Sequence, residues 1–255
     1  MIKLIHWDCL EELNKIQNNS IELLLIDPPY WTTDCQWDKN LDFKKFFELV
    51  WEKITNNWSI IVFASWSFTP KVMLSSIEEY KYKYTWIKNN STNFVHSKNR
   101  PMTKHEDILI FSKAPMGHIS QIWENKRMIY NPQWLIEINK TIKAWKWRFW
   151  TIAWIRPSHK KEFERKYTNY PTDVIDNISE PSANIKLHTS EKPIKLLEKL
   201  ILTHSNNWIV MDCFMWSWST GLACKNLNRD FIWIELDNNY FNISQNRILW
   251  VIKND

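Results

Sequence analysis

Glycine is almost missing from this chain of 255 residues: only Gly117 and Gly221 occur. A soluble domain averages roughly 7% glycine, about 18 residues at this length. Eighteen tryptophans are present instead, and many stand where glycine belongs. Trp216 and Trp218 interrupt a turn between the apolar run 208–211 and a helix-like stretch, where backbone must approach a ligand closely. Two indoles there are expected to fill the space the ligand needs. Trp7, Trp31, Trp58, Trp66, Trp208 and Trp233 likewise fall in turn-like or close-approach contexts. Trp37 and Trp86, with aromatic, strand-like or substrate-facing neighbours, read as genuine tryptophans. A gene that uses UGA for glycine, translated as if UGA meant tryptophan, gives this pattern. The expectation is glycine at these eight turn-like or close-approach positions of the native protein.

Other absences narrow the class. No apolar stretch reaches the ~20 residues of a membrane span. The start, Met1 to His6, lacks the long apolar segment and small-residue cleavage site of a signal peptide. The four cysteines, Cys9, Cys35, Cys213 and Cys224, show neither CxxC nor metal-ligand spacing, so they read as reduced thiols of a cytoplasmic protein with no metal. Charge is unevenly spread. Residues 113–170 hold 12 Lys and Arg against 4 acids, a balance of +8, while the whole chain carries +5, leaving −3 for the rest. A basic segment on a slightly acidic body points to a polyanion such as nucleic acid.

Three stretches follow. Residues 1–112 alternate apolar and amphipathic runs: strands at 21–26, 59–64, 84–88 and 108–111, and a helix at 43–54. Residues 113–184 lose that rhythm and become basic and aromatic, punctuated by Pro132, Pro157, Pro171 and Pro181. From 185 the rhythm returns, with helices at 193–205, 220–228 and 238–249 and strands at 209–212 and 231–235. Alternating strands and helices imply a mainly parallel α/β sheet with helices on both faces, here in one domain with an inserted middle segment.

Two segments carry chemistry. Asp27-Pro28-Pro29-Tyr30 ends the apolar strand 21–26, at the carboxyl edge where open α/β sheets bind ligands. Asp27 offers an anionic acceptor, Pro28 a carbonyl in rigid backbone, and Tyr30 a flat stacking face. Together they suit an exocyclic amine, although an ordinary Asp-Pro-Pro turn reads equally well. The second segment is strand 209–212, the turn 212–221, a helix, and a strand ending at Glu235. That order is the mononucleotide-binding half of a Rossmann-like sheet, with Glu235 placed for ribose hydroxyls.

With these motifs the chain resembles the DNA (adenine-N6) methyltransferases, in the permuted order where the Asp-Pro-Pro-Tyr motif precedes the cofactor loop. Asp27-Pro28-Pro29-Tyr30 matches the catalytic motif, and Phe214-Met215-Trp216-Ser217-Trp218-Ser219-Thr220-Gly221 matches the S-adenosylmethionine loop if Trp216 and Trp218 are glycines. His188 to Pro193, including Lys192, resembles the motif opening the preceding helix; His6-Trp7-Asp8-Cys9 resembles the turn contacting the cofactor's adenine; His105 to Phe111 resembles a late catalytic strand. The resemblance implies a Rossmann-like S-adenosylmethionine-dependent methyltransferase sheet acting on a flipped-out adenine of double-stranded DNA, with a restriction endonuclease as a candidate partner. It implies catalytic Asp27, Pro28, Pro29 and Tyr30, and cofactor contacts from Asp8, Cys9, His188, Lys192, Asp212, Phe214, Trp216, Ser217, Trp218, Ser219, Thr220 and Glu235. The basic middle segment corresponds to target recognition, with Lys143, Lys146, Arg148, Lys160 and Lys161 as DNA contacts. Two alternatives stand beside it: cytosine-N4 methylation, whose enzymes usually carry Ser in place of Asp27, and a catalytically dead DNA-binding relative if Trp216 and Trp218 are real. Cytosine-C5 chemistry needs a nucleophilic cysteine, commonly after proline, and no Pro-Cys pair occurs.

Overall fold

Strand β2 (Ile21–Ile26) is buried at all six positions, which is why it reads as a near-continuous apolar run. Its side chains alternate between two cores, Leu24 and Ile26 on one face of the sheet and Leu23 and Leu25 on the other. β3 (Ile54–Ala64) repeats the division, with Ile60, Val62 and Ala64 opposite Ile61 and Phe63. The computed structural model describes residues 2–30, 41–116, 122–143, 162–179, 191–214 and 218–253. Within them the chain divides into two units, Met1–Asn131 with Asp173–Asp255, and Pro132–Thr172.

The larger unit carries an eight-stranded sheet in the order β1-β10-β9-β2-β3-β5-β4-β8. Here β1 is Ile2–His6, β4 Tyr80–Thr92, β5 Thr103–Phe111, β8 Val174–Ile175, β9 Ile209–Asp212 and β10 Asp230–Glu235. The first five strands in that order are parallel; β5 runs antiparallel to β3 and β4 antiparallel to β5. Helices α1 (Cys9–Leu13), α2 (Phe43–Lys53) and α3 (Phe68–Ser75) supply the Leu24 face. Helices α4 (Ile194–His204) and α5 (Ser219–Asn226) supply the Leu23 face, where α6 (Asn238–Lys253) adds Phe241. In α2, Phe43, Phe46, Phe47 and Val50 recur at three- and four-residue spacing and are all buried, while Asp42 caps the helix by accepting the Lys45 amide. The expected mainly parallel sheet covered on both faces is the fold observed.

β9 and α4 match the expected spans closely, whereas β3, β4 and β5 begin earlier than their apolar runs because their leading residues are polar or half-exposed. Of the basic middle segment, Pro132–Thr172 separates as the smaller unit. It is built on an antiparallel pair, β6 (Ile136–Lys143) and β7 (Glu162–Thr168). Among the described residues, no helix is long and apolar enough to cross a membrane.

Candidate active site

β2 and β9 lie side by side in the sheet, yet their chains leave in opposite directions, β2 through α2 to β3 and β9 through α5 to β10. Such a switch point opens a crevice at the carboxyl ends of the strands. Asp27 follows β2 there, Asp212 ends β9, Glu235 ends β10, and Asp8 follows β1. The topology therefore brings four carboxylates of remote sequence to one edge.

Asp27 is held from two sides. The Tyr30 hydroxyl donates to its Oδ1 at 3.0 Å, and the Lys192 ammonium donates to its Oδ2 at 2.7 Å. Lys192 also lies 3.2 Å from Glu106, which accepts from Lys88 at 2.7 Å. The result is a buried chain of alternating charge: Lys88, Glu106, Lys192, Asp27. Burial opposes the charge on Lys192, but Asp27 and Glu106 together hold its pKa above the ordinary lysine range. Burial also pushes Glu106 up, yet the ammoniums of Lys192 and Lys88 prevail and leave it below the usual carboxylate range. At Asp27 burial wins against the pull of Lys192, and the carboxyl is shifted upward. Such a group stays an acceptor while being a better resting place for a proton than a surface aspartate. The Tyr30 ring packs at 4.9 Å against Phe68, which fixes its face beside Asp27.

The β9 side is different. Asp212 accepts the Phe214 amide at 2.9 Å, and Glu235 accepts the Asp237 amide at 2.8 Å. Among the described residues no basic side chain offsets the burial of either, and burial raises both to about 7. Thr220, in the first turn of α5, partly offsets this at Asp212. Asp8 caps α1 by accepting the Leu10 and Glu11 amides, and burial pushes the neighbouring Cys9 thiol up to about 12. Phe214 packs at 5.7 Å against Phe46. Buried acids with no cation among the described residues suit a ligand that brings hydroxyl donors and positive charge. On that donor set the residues fit S-adenosylmethionine.

Backbone geometry bears on the missing glycines. Eight described non-glycine residues have positive φ: five asparagines, and Trp66, Trp134 and Trp218 at 57°, 63° and 65°. Asparagine tolerates this region through local hydrogen bonds; a bulky aromatic there is a genuine outlier. Three expectations need correction. Trp58 and Trp233 lie inside β3 and β10, both buried, and not in turns. Trp233 is stacked on Phe241 at 5.5 Å, with its Nε1 lacking an acceptor. The Trp218 indole does not fill an open crevice: it is buried in the core on the α4/α5 side, so close to Gly221 that a Cβ there would come within 2.6 Å of its Nε1. By contrast Trp86 is buried in β4 with its Nε1 donating to the Ile178 carbonyl at 2.9 Å.

Sequence reasoning placed Lys192 with the cofactor; the structure joins its ammonium to Asp27. It missed Lys88 and Glu106, for which the available signal was an acid at the carboxyl-edge end of an apolar strand, Glu106 before 108–111. His188, Trp216, Ser217, Lys146, Arg148, Lys160, Lys161, Trp31 and Trp37 lie outside the described residues, and Lys143 ends β6.

The DNA methylase family matches residues 21–246 of this chain. The type II methyltransferase M1.MboII of Moraxella bovis is 24% identical over 94% of this chain and 94% of its own. The DNA adenine methyltransferase YhdJ of Escherichia coli is 25% identical over 96% of this chain and 82% of its own. Among solved structures, M1.HpyAVI in complex with S-adenosylmethionine is 26% identical, with a TM-score of 0.63 over 97% of this chain and all of that one.

Proposed function

The chain belongs to the DNA methylase family, and on that premise we propose that it methylates N6 of adenine in DNA, with S-adenosylmethionine as methyl donor. The observation that carries this reading is the largely buried Asp27, followed by Pro28-Pro29-Tyr30 and held at the switch-point edge by Tyr30 and Lys192. Aspartate at position 27 favours adenine over cytosine N4, and the E. coli relative is a DNA adenine methyltransferase. The solved relative's complex with S-adenosylmethionine supports the donor, as do the cation-poor acids Asp212 and Glu235.

A duplex hides N6, so the adenine must leave the stack, at a cost of a few kcal/mol. The Tyr30 face recovers part of that cost by stacking. The N6 lone pair is delocalised into the ring and is a poor nucleophile. Asp27 has one oxygen on Tyr30 and the other on Lys192, yet a carboxylate offers about four lone-pair sites, so it can still accept an N6 hydrogen. The Pro28 carbonyl takes the second. Two acceptors at the amine favour a tetrahedral nitrogen whose lone pair is free to attack. When bound, S-adenosylmethionine supplies an electrophilic methyl group on a sulfonium sulfur. Positioning of this kind lowers a barrier by ~7–11 kcal/mol, and the Asp27 carboxylate stabilises the positive charge developing on N6. Lys192 and Glu106 fix the carboxylate's orientation throughout. Pro29 keeps the segment rigid, and Asp8, Cys9, His188, Phe214, residues 216–220 and Glu235 form the cofactor side.

The Pro132–Thr172 unit, with Lys143, Lys146, Arg148, Lys160 and Lys161, is assigned to the DNA backbone. The setting is cytoplasmic restriction-modification, with an endonuclease as partner. Glycine at 7, 31, 66, 208, 216 and 218 of the native protein, and at 58 and 233 despite their strand positions, belongs to the same reading. Positive φ at Trp66 and Trp218 supports it, and Trp134 joins the set.

The test is Asp27→Ala in protein whose codons have been checked. Methyl transfer to adenine should fall by at least a thousandfold, while cofactor and DNA affinities stay within about tenfold (~1.4 kcal/mol,). Transfer at a near-parental rate overturns the mechanism, and label on cytosine overturns the substrate.

A further inference from the structure

A second segment has the charge of a DNA contact. Between Tyr80 and His105 the sequence holds six Lys and Arg (Lys81, Lys83, Lys88, Lys98, Arg100 and Lys104) and not one Asp or Glu; Lys83 and Lys88 are paired with Asp107 and Glu106 just beyond it, and Lys98, Arg100 and Lys104 lie toward the tip. This is the β4–β5 hairpin. β3 ends at Ala64, paired with Asp107, whereas β4 and β5 run on together to the Thr92–Thr103 pair. Thr103 is four residues past Asp107 on β5, roughly 13 Å at the rise of a strand. β4 is parallel to β3 and β2, so this ribbon projects from the carboxyl edge, the edge that carries Asp27. Its base is tied to that residue: Lys88 of β4 and Glu106 of β5 are the outer links of the buried chain that reaches Asp27 through Lys192.

The tip is unusual. Asn93 turns the chain with φ of 68°, and Phe94 and Val95 follow with 75% and 89% of their surfaces exposed. Two adjacent apolar side chains in water, on a ribbon whose outer part carries cations and whose acids, Glu106 and Asp107, lie at its base, fit a polyanion with an apolar interior. Stacked base pairs behind a phosphate backbone are such a partner. Proteins that distort DNA insert apolar side chains between bases and hold the strands by phosphate contacts.

We propose that this hairpin is a second DNA-contacting element. Phe94 and Val95 enter the duplex beside the target base and occupy the space it leaves on flipping, while Lys98, Arg100 and Lys104 hold the flanking phosphates. The Lys88–Glu106–Lys192–Asp27 chain sets the distance between this wedge and the catalytic carboxylate. The inference rests on the adenine-methylation reading and adds a device for extruding the base, separate from the Pro132–Thr172 unit.

Two variants of the full-length protein test it, Phe94→Ser/Val95→Ser and Lys98→Gln/Arg100→Gln/Lys104→Gln. The substrate is long unmethylated phage duplex DNA, on which the modified adenine is mapped. A short duplex around that adenine then carries 2-aminopurine at the target. The wedge variant should keep its melting temperature and S-adenosylmethionine affinity but lose at least thirtyfold in kcat/KM and most of the 2-aminopurine fluorescence rise. A mismatch opposite the target should restore most of the loss, because the base is then already loosened. The charge variant should lower the slope of log affinity against log salt by about 2 to 3, roughly 0.9 per lost phosphate contact. Methylation by the wedge variant within twofold of parent overturns the wedge. An unchanged salt slope overturns the phosphate contacts. A parent that methylates no DNA refutes the function itself, and the salt slope still decides whether the hairpin binds DNA.

Discussion

The carboxyl ends of β2 and β9 are neighbours in one sheet, yet they manage buried charge in opposite ways. At β2 the described charges are partnered: Asp27 and Glu106 share Lys192, and Lys88 closes the outer end. At β9 and β10, Asp212 and Glu235 are buried with backbone amides, and Thr220 at Asp212, as their hydrogen-bond donors among the described residues, and their pKa values rise to about 7. The first arrangement is complete within the chain. The second leaves both acids short of countercharge among the described residues, and it adjoins a turn whose Trp218 adopts a backbone conformation suited to glycine. A site that must keep its geometry through a reaction is closed by the protein; a site that must admit and release a ligand is left short of charge.

The largest expected effect is on the ligand-dependent side. Protein carrying glycine at 216, 218 and 233 should bind S-adenosylmethionine and transfer methyl groups; protein carrying tryptophan there should do neither within the range of equilibrium dialysis. Peptide mass spectrometry of the native protein should find glycine at these three positions and tryptophan at 86. Tryptophan found at 218 in the native protein, with full activity, ends the recoding account and leaves the strain at φ of 65° as a property of the working enzyme.

The two sides also differed in how readily they were legible. Asp27 could be found because it follows a run apolar enough to be buried on both faces, and a strand end is where ligands gather. Asp212 and Glu235 were legible for the same reason. Lys192 was assigned to the cofactor from its motif, because nothing local tells a lysine that its partners are 165 and 86 residues away. The start of β4 was missed because alternating Tyr and Lys in Tyr80–Lys83 gives a half-exposed strand no apolar run. Trp58 and Trp233 were misplaced because an indole in a strand and an indole in a turn look alike in sequence. Only the backbone angle separates Trp66, Trp134 and Trp218 from the others.

Breaking the closed side should cost stability first. Lys192→Met leaves two buried carboxylates at Asp27 and Glu106 with Lys88 as their remaining cation, and removing one member of such a chain costs about 3–5 kcal/mol. Adding Glu106→Gln should return part of that loss, as chemical denaturation will show. The same kind of change on the open side should run the other way. Asp212→Asn removes a charge that burial penalises, so the ligand-free protein should melt no lower than parent. A Lys192→Met protein as stable as parent would mean that the two sides do not differ.

Trp66 and Trp134 test the backbone apart from the core. Both are at least 40% exposed, so glycine there leaves little cavity, and each replacement should stabilise by about 1–2 kcal/mol from relief of the left-handed conformation. At Trp218 the two effects oppose. Losing a fully packed indole costs about 3–5 kcal/mol, more than the relief supplies, unless the native core closes around glycine. The melting temperature of Trp218→Gly therefore reads which residue that core was built for, and a rise favours glycine.

The last effect is in pH, and its sign follows from the open side. Asp212 and Glu235 titrate near 7 in the folded, ligand-free protein and near 4 when unfolded. Acids raised by folding favour the folded state below their unfolded pKa, and that contribution is lost as pH rises through about 7. The ligand-free protein should lose stability from these groups as pH climbs from about 4 to 7. A cationic, hydroxyl-bearing ligand prefers the ionised carboxylates, so its binding releases protons across the same window. S-adenosylmethionine affinity should therefore strengthen by about tenfold between pH 6 and 7.5 and level off above, measured by calorimetry in two buffers of different ionisation enthalpy. Glu235→Gln should flatten much of this rise, because one of the two titrating partners is gone. Affinity that weakens over that interval, or binding without proton release, would place the charge deficit elsewhere and remove the distinction between the two edges.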